Sequence, residues 1–454
     1  MLTLLLISGA GIPARAENQE AYMDRFMENP KEVRNIGDPF ILQDHGYHLF
    51  ATGEAAGFLT WRSEDLSHFE RSRALKKVSW ASKDYWAPEV YAWQGKYVML
   101  FTARWQEKAS LRIGIAFSDA PEGPYEDPLD APLFDFGYAA IDATLFTDEA
   151  GTPYLIYSKD CSENIFQGRH ESHLYGVQMT NDLLHTVGQP VLLTQPDQPW
   201  ETLSGDYRWN EGPSVIRHDG KYYLFYSANY YASREYAVGV AVADAPLGPY
   251  RKQENNPVLR WVGSEENVLV SGPGHNSFFT VGDELFSAYH THTFPDRPSG
   301  NRRLNIDRAG FHDDGTAYIN GPTRAPQLRP LADIQCVNWM GQAVCKGDPR
   351  GLLWDGDICQ AASSAAYVWQ GKTVSFSWAV AVHADMLLLY PALGTRIAGI
   401  VELGNLSLPF DFTPEKPGEC CLFSFEETEI MNLHISLEQG ELGEVMLIGP
   451  EQEE

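Results

Sequence analysis

One phrase recurs five times along this 454-residue chain, and few folds accommodate it. A tight turn ending in glycine is followed by a strand of tyrosines and aliphatics. The copies are Gly46-Tyr-His-Leu-Phe-Ala51, Gly95-Lys-Tyr-Val-Met-Leu-Phe101, Gly151-Thr-Pro-Tyr-Leu-Ile-Tyr157, Gly220-Lys-Tyr-Tyr-Leu-Phe-Tyr226 and Gly282-Asp-Glu-Leu-Phe-Ser-Ala-Tyr289. Their glycines stand 49, 56, 69 and 62 residues apart, room for about four strands with loops in each unit. A second phrase keeps the same order: Ile113-Gly-Ile-Ala-Phe-Ser-Asp-Ala-Pro-Glu-Gly-Pro-Tyr125 returns as Val238-Gly-Val-Ala-Val-Ala-Asp-Ala-Pro-Leu-Gly-Pro-Tyr250. Repetition of this kind predicts an all-β chain with a five-bladed β-propeller over residues 31–325.

Upstream of each repeated glycine stands a polar residue at the head of an apolar run: Asp38, Glu89, Asp142, Glu211 and His275. In a radial array the first strand of each blade lies nearest the axis, so these five side chains are expected to meet in one central cavity. Carboxylates gathered there raise one another's pKa values. Asp142 sits between Ile141 and Ala143-Thr-Leu-Phe146, where an unpaired carboxylate is expensive.

The rest of the chain is organised around that array. Residues 160–172 form a polar insertion, read as a loop over one face of the third blade. Pro322, Pro326 and Pro330 punctuate a linker. Residues 335–454 lack the repeat and hold short strand-like runs, including 373–382, 386–390, 399–403, 421–425, 431–437 and 444–448. They predict a small β-sandwich with a galactose-binding-like ending, read as a buttress rather than a sugar binder. Residues 1–30 are expected to be a leader followed by a short helix over Glu20–Met27. Leu2–Ile7 is a brief apolar run with no basic residue before it, so a cytoplasmic protein is the expectation, and secretion the alternative if that run is a signal peptide. Six cysteines without metal-ligand spacing agree with a reducing compartment. With 34 basic and 61 acidic residues the formal charge is −27, which argues against nucleic acid or an anionic membrane as partner.

Five motifs in order carry a resemblance: Gly37-Asp38-Pro39, Trp86-Ala87-Pro88-Glu89, Ile141-Asp142-Ala143, Asn210-Glu211-Gly212-Pro213 and Gly274-His275-Asn276. Over residues 35–325 the chain resembles glycoside hydrolase family 43, five-bladed propeller enzymes acting on arabinose- and xylose-containing glycans. The resemblance implies an inverting hydrolase with Asp38 as general base, Glu211 as general acid and Asp142 as the residue that tunes and orients the acid. Inversion needs one carboxylate to activate water and one carboxylic acid to protonate the leaving oxygen, on opposite faces of the sugar. Arg302 matches the family's arginine that contacts sugar hydroxyls or the carboxylates, with Arg303 one position away. His275 is implied to lie beside a central ion or water cluster, with a structural Ca²⁺ as the candidate ion. Trp86 and Trp209 flank two of the mouth residues, and are read as stacking on sugar rings or, equally, as filling the propeller core. Glu89 receives no proton-transfer role, and no cofactor is required. An oligosaccharide or polysaccharide substrate follows, with α-L-arabinofuranosidase as the first expectation and β-xylosidase or endo-arabinanase as alternatives. A non-catalytic glycan-binding propeller is a rival from another class. A mannoside phosphorylase is a second rival, disfavoured because no basic cluster adjoins Glu211.

Overall fold

The computed structural model of the chain describes residues 24–53, 56–360 and 362–451. Among these the structure is all-β, with only short 3₁₀ turns. Five antiparallel sheets follow one another in sequence order, each wound as a simple meander. The first holds Gly37–Gln43, Tyr47–Thr52, Phe58–Ser63 and Glu70–Leu75. The second holds Trp86–Trp93, Lys96–Trp105 and Ser110–Ser118; the third Ala140–Thr147, Pro153–Lys159, His173–Met179 and Thr186–Thr194. The fourth is built from Asn210–His218, Lys221–Ala228, Ala237–Ala243 and Arg251–Lys252. The fifth comprises Gly274–Val281, Glu284–His292, Arg302–Phe311 and Ala317–Ile319. Every repeated glycine opens the second strand of its sheet.

That second strand is apolar on both faces because both faces are covered. Along Lys96–Trp105, Met99 and Phe101 pack with Phe40, Phe50 and Phe58 of the first sheet, whereas Val98 and Leu100 pack with Leu145, Leu155 and Tyr157 of the third. Alternation of side chains along a strand places successive residues in different cores. In the third sheet, Leu155 and Tyr157 turn toward the second sheet while Ile156 joins Leu224 and Tyr226 of the fourth. Phe225 and Phe278 join the fourth sheet to the fifth at 4.5 Å, edge to face. Tyr47 and Phe279 join the first to the fifth at 5.9 Å. A run such as Tyr-Val-Met-Leu-Phe therefore reads as continuous rather than alternating hydrophobicity.

The inner strands share one irregularity. In the first four sheets two residues of the inner strand oppose one of the second strand: Asp38-Pro39, Ala87-Pro88, Asp142-Ala143 and Gly212-Pro213. The leading residue of each bulge has positive φ: 52° at Asp38, 46° at Ala87, 56° at Asp142 and 52° at Gly212. His275 of the fifth sheet repeats it at 51°. Left-handed backbone at an aspartate, an alanine and a histidine is held by the surroundings rather than by residue preference.

Side chains near the ends of the second strands support these bulges in rotation. Thr52 Oγ1 accepts the amide of Ala87 at 2.8 Å, and Thr102 Oγ1 that of Asp142 at 3.0 Å. Ser158 Oγ donates to the carbonyl of Asn210 at 3.0 Å. Ser227 Oγ accepts the amide of His275 at 2.7 Å, and His290 Nδ1 that of Asp38 at 3.2 Å. Each sheet thus holds the next, and the fifth holds the first. The five inner strands enclose a cavity of about 300 Å³ lined by Phe40, Tyr91, Thr144, Ser214 and Phe278 among others.

The chain divides into two compact units, one of residues 30–280 and 285–306, the other of the remaining described residues before 30, 281–284 and from 307 onward. The expected boundary near 325 and this division differ over 307–325. Within the second unit Arg308 pairs with Glu284 at 2.7 Å and donates to the carbonyls of Leu328 and Arg329, which groups these segments together. From Cys336 onward the strands form one sheet in hydrogen-bonding terms. Its two longest, Thr373–Pro391 and Cys421–Gln439, are 19 residues each, and each merges two of the short runs expected from sequence. Leu406–Phe412 is an additional strand at the sheet's edge, where Pro409 is tolerated because one side of an edge strand needs no partner.

The helix expected over Glu20–Met27 is corrected at its described end. Residues 1–23, including the apolar leader, lie outside the described part. Phe26–Met27 is a short strand paired with Gln327–Leu328, its backbone groups satisfied by a neighbouring strand. All six cysteines are unpaired. Among the described residues no helix is long and apolar enough to cross a membrane.

Candidate active site

Asp38 and Asp142 occupy the same bulge position in their sheets, and His275 shares their positive φ near the head of the fifth sheet's inner strand. Glu211 comes from the residue before the bulge, and Glu89 from the residue after it. The expectation that all five side chains meet in one place fails for Glu89, whose carboxyl bonds to Tyr91; the two glutamates leave the strand on either side of the bulge. The physical reason is the bulge itself, since one added residue reverses the facing of everything beyond it.

Asp38 is the most heavily supported group. Its Oδ2 accepts from Thr52 Oγ1 at 2.6 Å. Its Oδ1 lies 2.9 Å from Arg302 Nη1, 3.2 Å from His275 Nδ1 and 3.6 Å from His290 Nδ1. Burial opposes ionisation, but His275, the Arg302 charge and the Thr52 hydroxyl outweigh it and hold Asp38 well below the usual carboxylate range. His290 is fully buried and held neutral, first by burial and then by the Arg302 charge. Its Nδ1 faces the Asp38 amide and an Arg302 N–H at 3.4 Å, which puts the ring proton on Nε2. The pull on Asp38 accordingly comes from Arg302 and His275, and His290 serves as an acceptor. Gly37 makes this possible: a Cβ there would lie 2.1 Å from Arg302 Cζ. Of the two candidate arginines, Arg302 reaches the carboxylate, whereas Arg303 bridges Arg34 through the backbone.

Glu211 has the opposite environment. Burial, Asp142, Asp160 and Asp38 push its pKa well above the ordinary range, against a 2.8 Å hydrogen bond donated by Tyr236 Oη. Asp142 is raised to about 6, chiefly by burial; the His275 charge and the amide of Gly212, 3.1 Å from Oδ2, pull it down, while Asp38 and Asp160 push it up. Tyr236 stacks on His290 with ring centroids 5.5 Å apart and planes within 3°. Gly274 leaves room for it, because a Cβ there would lie 2.4 Å from the tyrosine ring. One neutral imidazole thus stands between the support of Asp38 and that of Glu211. Replacing Tyr236 by phenylalanine removes a hydrogen bond that favours the ionised acid. The alkaline limb of kcat/KM is expected to move up by about one pH unit, with kcat roughly tenfold lower, as read from a pH–rate profile.

Glu89 turns away from this group. Its carboxylate accepts from Tyr91 Oη, which lies 2.9 Å from Thr144 Oγ1. Burial raises its pKa from 4.5 to about 8, so it stays protonated at neutral pH. A carboxyl whose folded pKa is raised destabilises the native state progressively as pH rises from the unfolded to the folded value. Glu89→Gln is therefore expected to raise stability by on the order of 2 kcal/mol at about pH 7.5 and to change little near pH 4, as measured by urea unfolding.

Trp86 holds in the second sheet the position Glu211 holds in the fourth, and it packs half-buried on Leu111, Ala139 and Ile141. Trp209, also half-buried, lies between Tyr207 at 6.2 Å and Tyr230 at 5.6 Å, centroid to centroid. Sequence reading did not single out Thr52, Asp160, Tyr236 or His290. A signal existed for two of these. Thr52, Thr102, Ser158, Ser227 and His290 stand six to eight residues after the repeated glycines, a polar column in an otherwise apolar strand. Among the described residues no group of three or more His, Cys, Asp or Glu side chains is arranged to hold a metal ion. His275 Nδ1 faces Asp38 Oδ1 at 3.2 Å, and the Ca²⁺ expected beside this residue stays an expectation.

One buried carboxyl drawn toward ionisation by neighbouring basic groups and another pushed toward protonation by burial and neighbouring carboxylates suit an acid–base hydrolytic class of site. The family model for glycosyl hydrolases family 43 matches residues 27–317. The chain belongs to that family. It is similar to a β-D-galactofuranosidase of Aspergillus niger, 29% identical over 45% of this chain and 54% of the relative. It is also similar to α-L-arabinofuranosidase 43 of Humicola insolens, 30% identical over 63% of this chain and 61% of the relative. The chain thus spans little more than half the length of these curated relatives. Among solved structures, a thermostable family-43 glycoside hydrolase is 46% identical with a TM-score of 0.64, over 67% of this chain and 99% of that one.

Proposed function

We propose that residues 31–325 form a five-bladed propeller that hydrolyses O-glycosidic bonds with inversion, and that residues 335–454 form a β-sandwich domain. The rotation of hydrogen bonds from each sheet to the next, returning from His290 to Asp38, supports the propeller reading. The observation that carries the chemistry is the opposed surroundings of Asp38 and Glu211: Arg302 and His275 flank the first, while burial and neighbouring carboxylates surround the second. In the reaction Asp38 takes a proton from water as the water oxygen bonds to the anomeric carbon. The carbon–oxygen bond to the leaving group breaks, and Glu211 delivers its proton to the departing oxygen. Asp142 keeps that proton on Glu211 by repulsion and fixes the strand through the Gly212 amide. Arg302 and His275 hold Asp38 ionised and lie where sugar hydroxyls would reach them. Trp86 and Trp209 bound the sugar at the mouth. Hydrolysis of this kind needs no cofactor.

The substrate we propose is an α-L-arabinofuranoside on an oligosaccharide or polysaccharide, with β-xylosides and arabinan as alternatives on the same scaffold. Two relatives named above are furanosidases, which favours a five-membered ring in the cavity. A panel of nitrophenyl α-L-arabinofuranoside, β-D-xyloside and β-D-galactoside with debranched arabinan tests this, with the product anomer followed by proton NMR. Release of arabinose in the inverted configuration is the expected result. Retention of configuration overturns the assignment of Asp38, and no turnover on any member favours a non-catalytic glycan-binding propeller.

A further inference from the structure

Ahead of the first sheet, residues 33–36 run along residues 302–304 of the fifth. Ala317–Ile319 pairs with Ala309–Phe311 and stops short of that stretch, which leaves its edge to this segment. Val33 and Ile36 anchor the segment, 2% and 3% exposed. Two backbone bonds join it: the Leu304 amide donates to the Val33 carbonyl at 3.3 Å, and the Ile36 amide to the Arg302 carbonyl at 3.4 Å. Both are longer than the roughly 2.7–3.2 Å of a well-formed amide hydrogen bond. Between them Arg34 and Arg303 stand directly opposite each other in an antiparallel bridge.

Side chains opposed in this way leave from the same face with Cβ atoms about 5 Å apart, and like charges so placed weaken the pairing. Among the described residues no carboxylate forms an ion pair with either guanidinium. Arg34 Nε donates to the Lys31 carbonyl, and Arg303 Nε is buried without a hydrogen-bond partner, a costly state for a donor on a cation. Burial and, after it, the Arg34 charge both oppose the charge on Arg303. With 61 acidic residues against 34 basic ones, the chain has no shortage of carboxylates that could have stood here. Arg302, one position earlier, shows the contrast, since its guanidinium meets Asp38 at 2.9 Å. Successive side chains of a strand point to opposite faces, so Arg303 leaves the strand away from Asp38.

We propose that Arg34 and Arg303 form a site for a doubly charged oxyanion of the phosphate class, which clamps residues 33–36 to residues 302–304 and so fastens the first sheet to the fifth. Two guanidinium groups side by side offer paired N–H donors to the oxygens of one tetrahedral anion, and its two charges cancel both of theirs. Chloride supplies charge without that geometry. The site is separate from the acid–base centre, supplies no attacking phosphate to it, and stands or falls independently of the hydrolase reading.

The test is scanning calorimetry of the full chain in chloride, inorganic phosphate or a sugar phosphate ester at matched ionic strength. Phosphate at about 10 mM is expected to raise the wild-type unfolding midpoint by about 2 °C over chloride. Arg34→Gln, at an exposed position, abolishes that rise. In chloride the same variant unfolds slightly above wild type, because the like-charge contact is gone, and in phosphate the order reverses. The crossover separates an anion site from a purely structural arginine, whose loss would lower the midpoint in every buffer and overturn the proposal. Arg303→Gln is expected to repeat the pattern; should it fail to fold, Arg34→Gln decides alone. Equal midpoints in phosphate and chloride, or an equal rise in wild type and Arg34→Gln, also overturn it. A rise with inorganic phosphate alone keeps the site and assigns it to the free anion, whereas a larger rise with the ester keeps it and assigns it to a phosphorylated ligand.

Discussion

Glu211→Gln lowers turnover of an arabinofuranosyl oligosaccharide by roughly 10³- to 10⁴-fold, the range expected when a positioned acid is removed. The size of the loss depends on the leaving group. Glutamine keeps the Tyr236 hydrogen bond and the volume of the side chain but has no proton to give. A dinitrophenyl leaving group departs as a stable anion without protonation, so on that substrate the loss should shrink to about tenfold. The alkaline limb of the pH profile disappears with the acid. Identical losses on the oligosaccharide and the dinitrophenyl glycoside would remove Glu211 from the acid role. Steady-state kinetics on the two substrates, taken with a far-ultraviolet spectrum to verify folding, decides the matter.

Asp38→Asn has a comparable effect on rate, about 10³-fold, and it does not depend on the leaving group because the lost step is activation of water. It also has a stability signature opposite in sign to that of Glu211→Gln, which removes a carboxyl whose pKa burial raises. Asp38 is held ionised against burial by Arg302 and His275, with only about a tenth of the aspartate and arginine side chains exposed, 11% and 12%. Asparagine leaves the Arg302 cation facing a neutral amide, and a buried cation without its partner costs about 3 kcal/mol. The sign follows from linkage. A carboxylate whose folded pKa is depressed stabilises the native state above its unfolded pKa, and that contribution fades as pH falls toward the folded value. The wild-type advantage over Asp38→Asn is therefore full at neutral pH and shrinks below about pH 4, as urea unfolding at a series of pH values would show. A constant difference across that range would mean that Asp38 is not held by charge.

The five sheets were legible because each carries the same local chemistry. A glycine at a tight turn and a two-faced apolar strand are decided within a dozen residues, and the repeat multiplies the signal. What escaped was governed by a single residue of offset. Glu89 and Glu211 both stand ahead of a repeated glycine, yet the bulge between them in register sends one to Tyr91 and the other to Tyr236. Spacing to the next turn does not encode a bulge, whereas the pairs Asp38-Pro39, Ala87-Pro88 and Gly212-Pro213 do carry a trace of it, since proline suits a position whose amide has no ladder partner. Arg302 was placed by motif, but its approach to Asp38 depends on Gly37, more than 260 residues away in sequence. Tyr236 is legible only in three dimensions, because nothing local distinguishes it from the tyrosines that fill cores. In the C-terminal region, Pro409 hid Leu406–Phe412, since proline within a run argues against a strand until its place at an edge is known.

The bond from the amide of Asp38 to His290 makes the surroundings of Asp38 a property of the finished polypeptide. A ribosome delivers Asp38 more than 250 residues before the cation and imidazole that face it. Until that late segment arrives, the first sheet carries an aspartate in a left-handed kink with neither counter-charge nor acceptor for its amide. A chain halted before that segment therefore carries Asp38 without its partners, and the pairing of first and last sheets is what completes its surroundings.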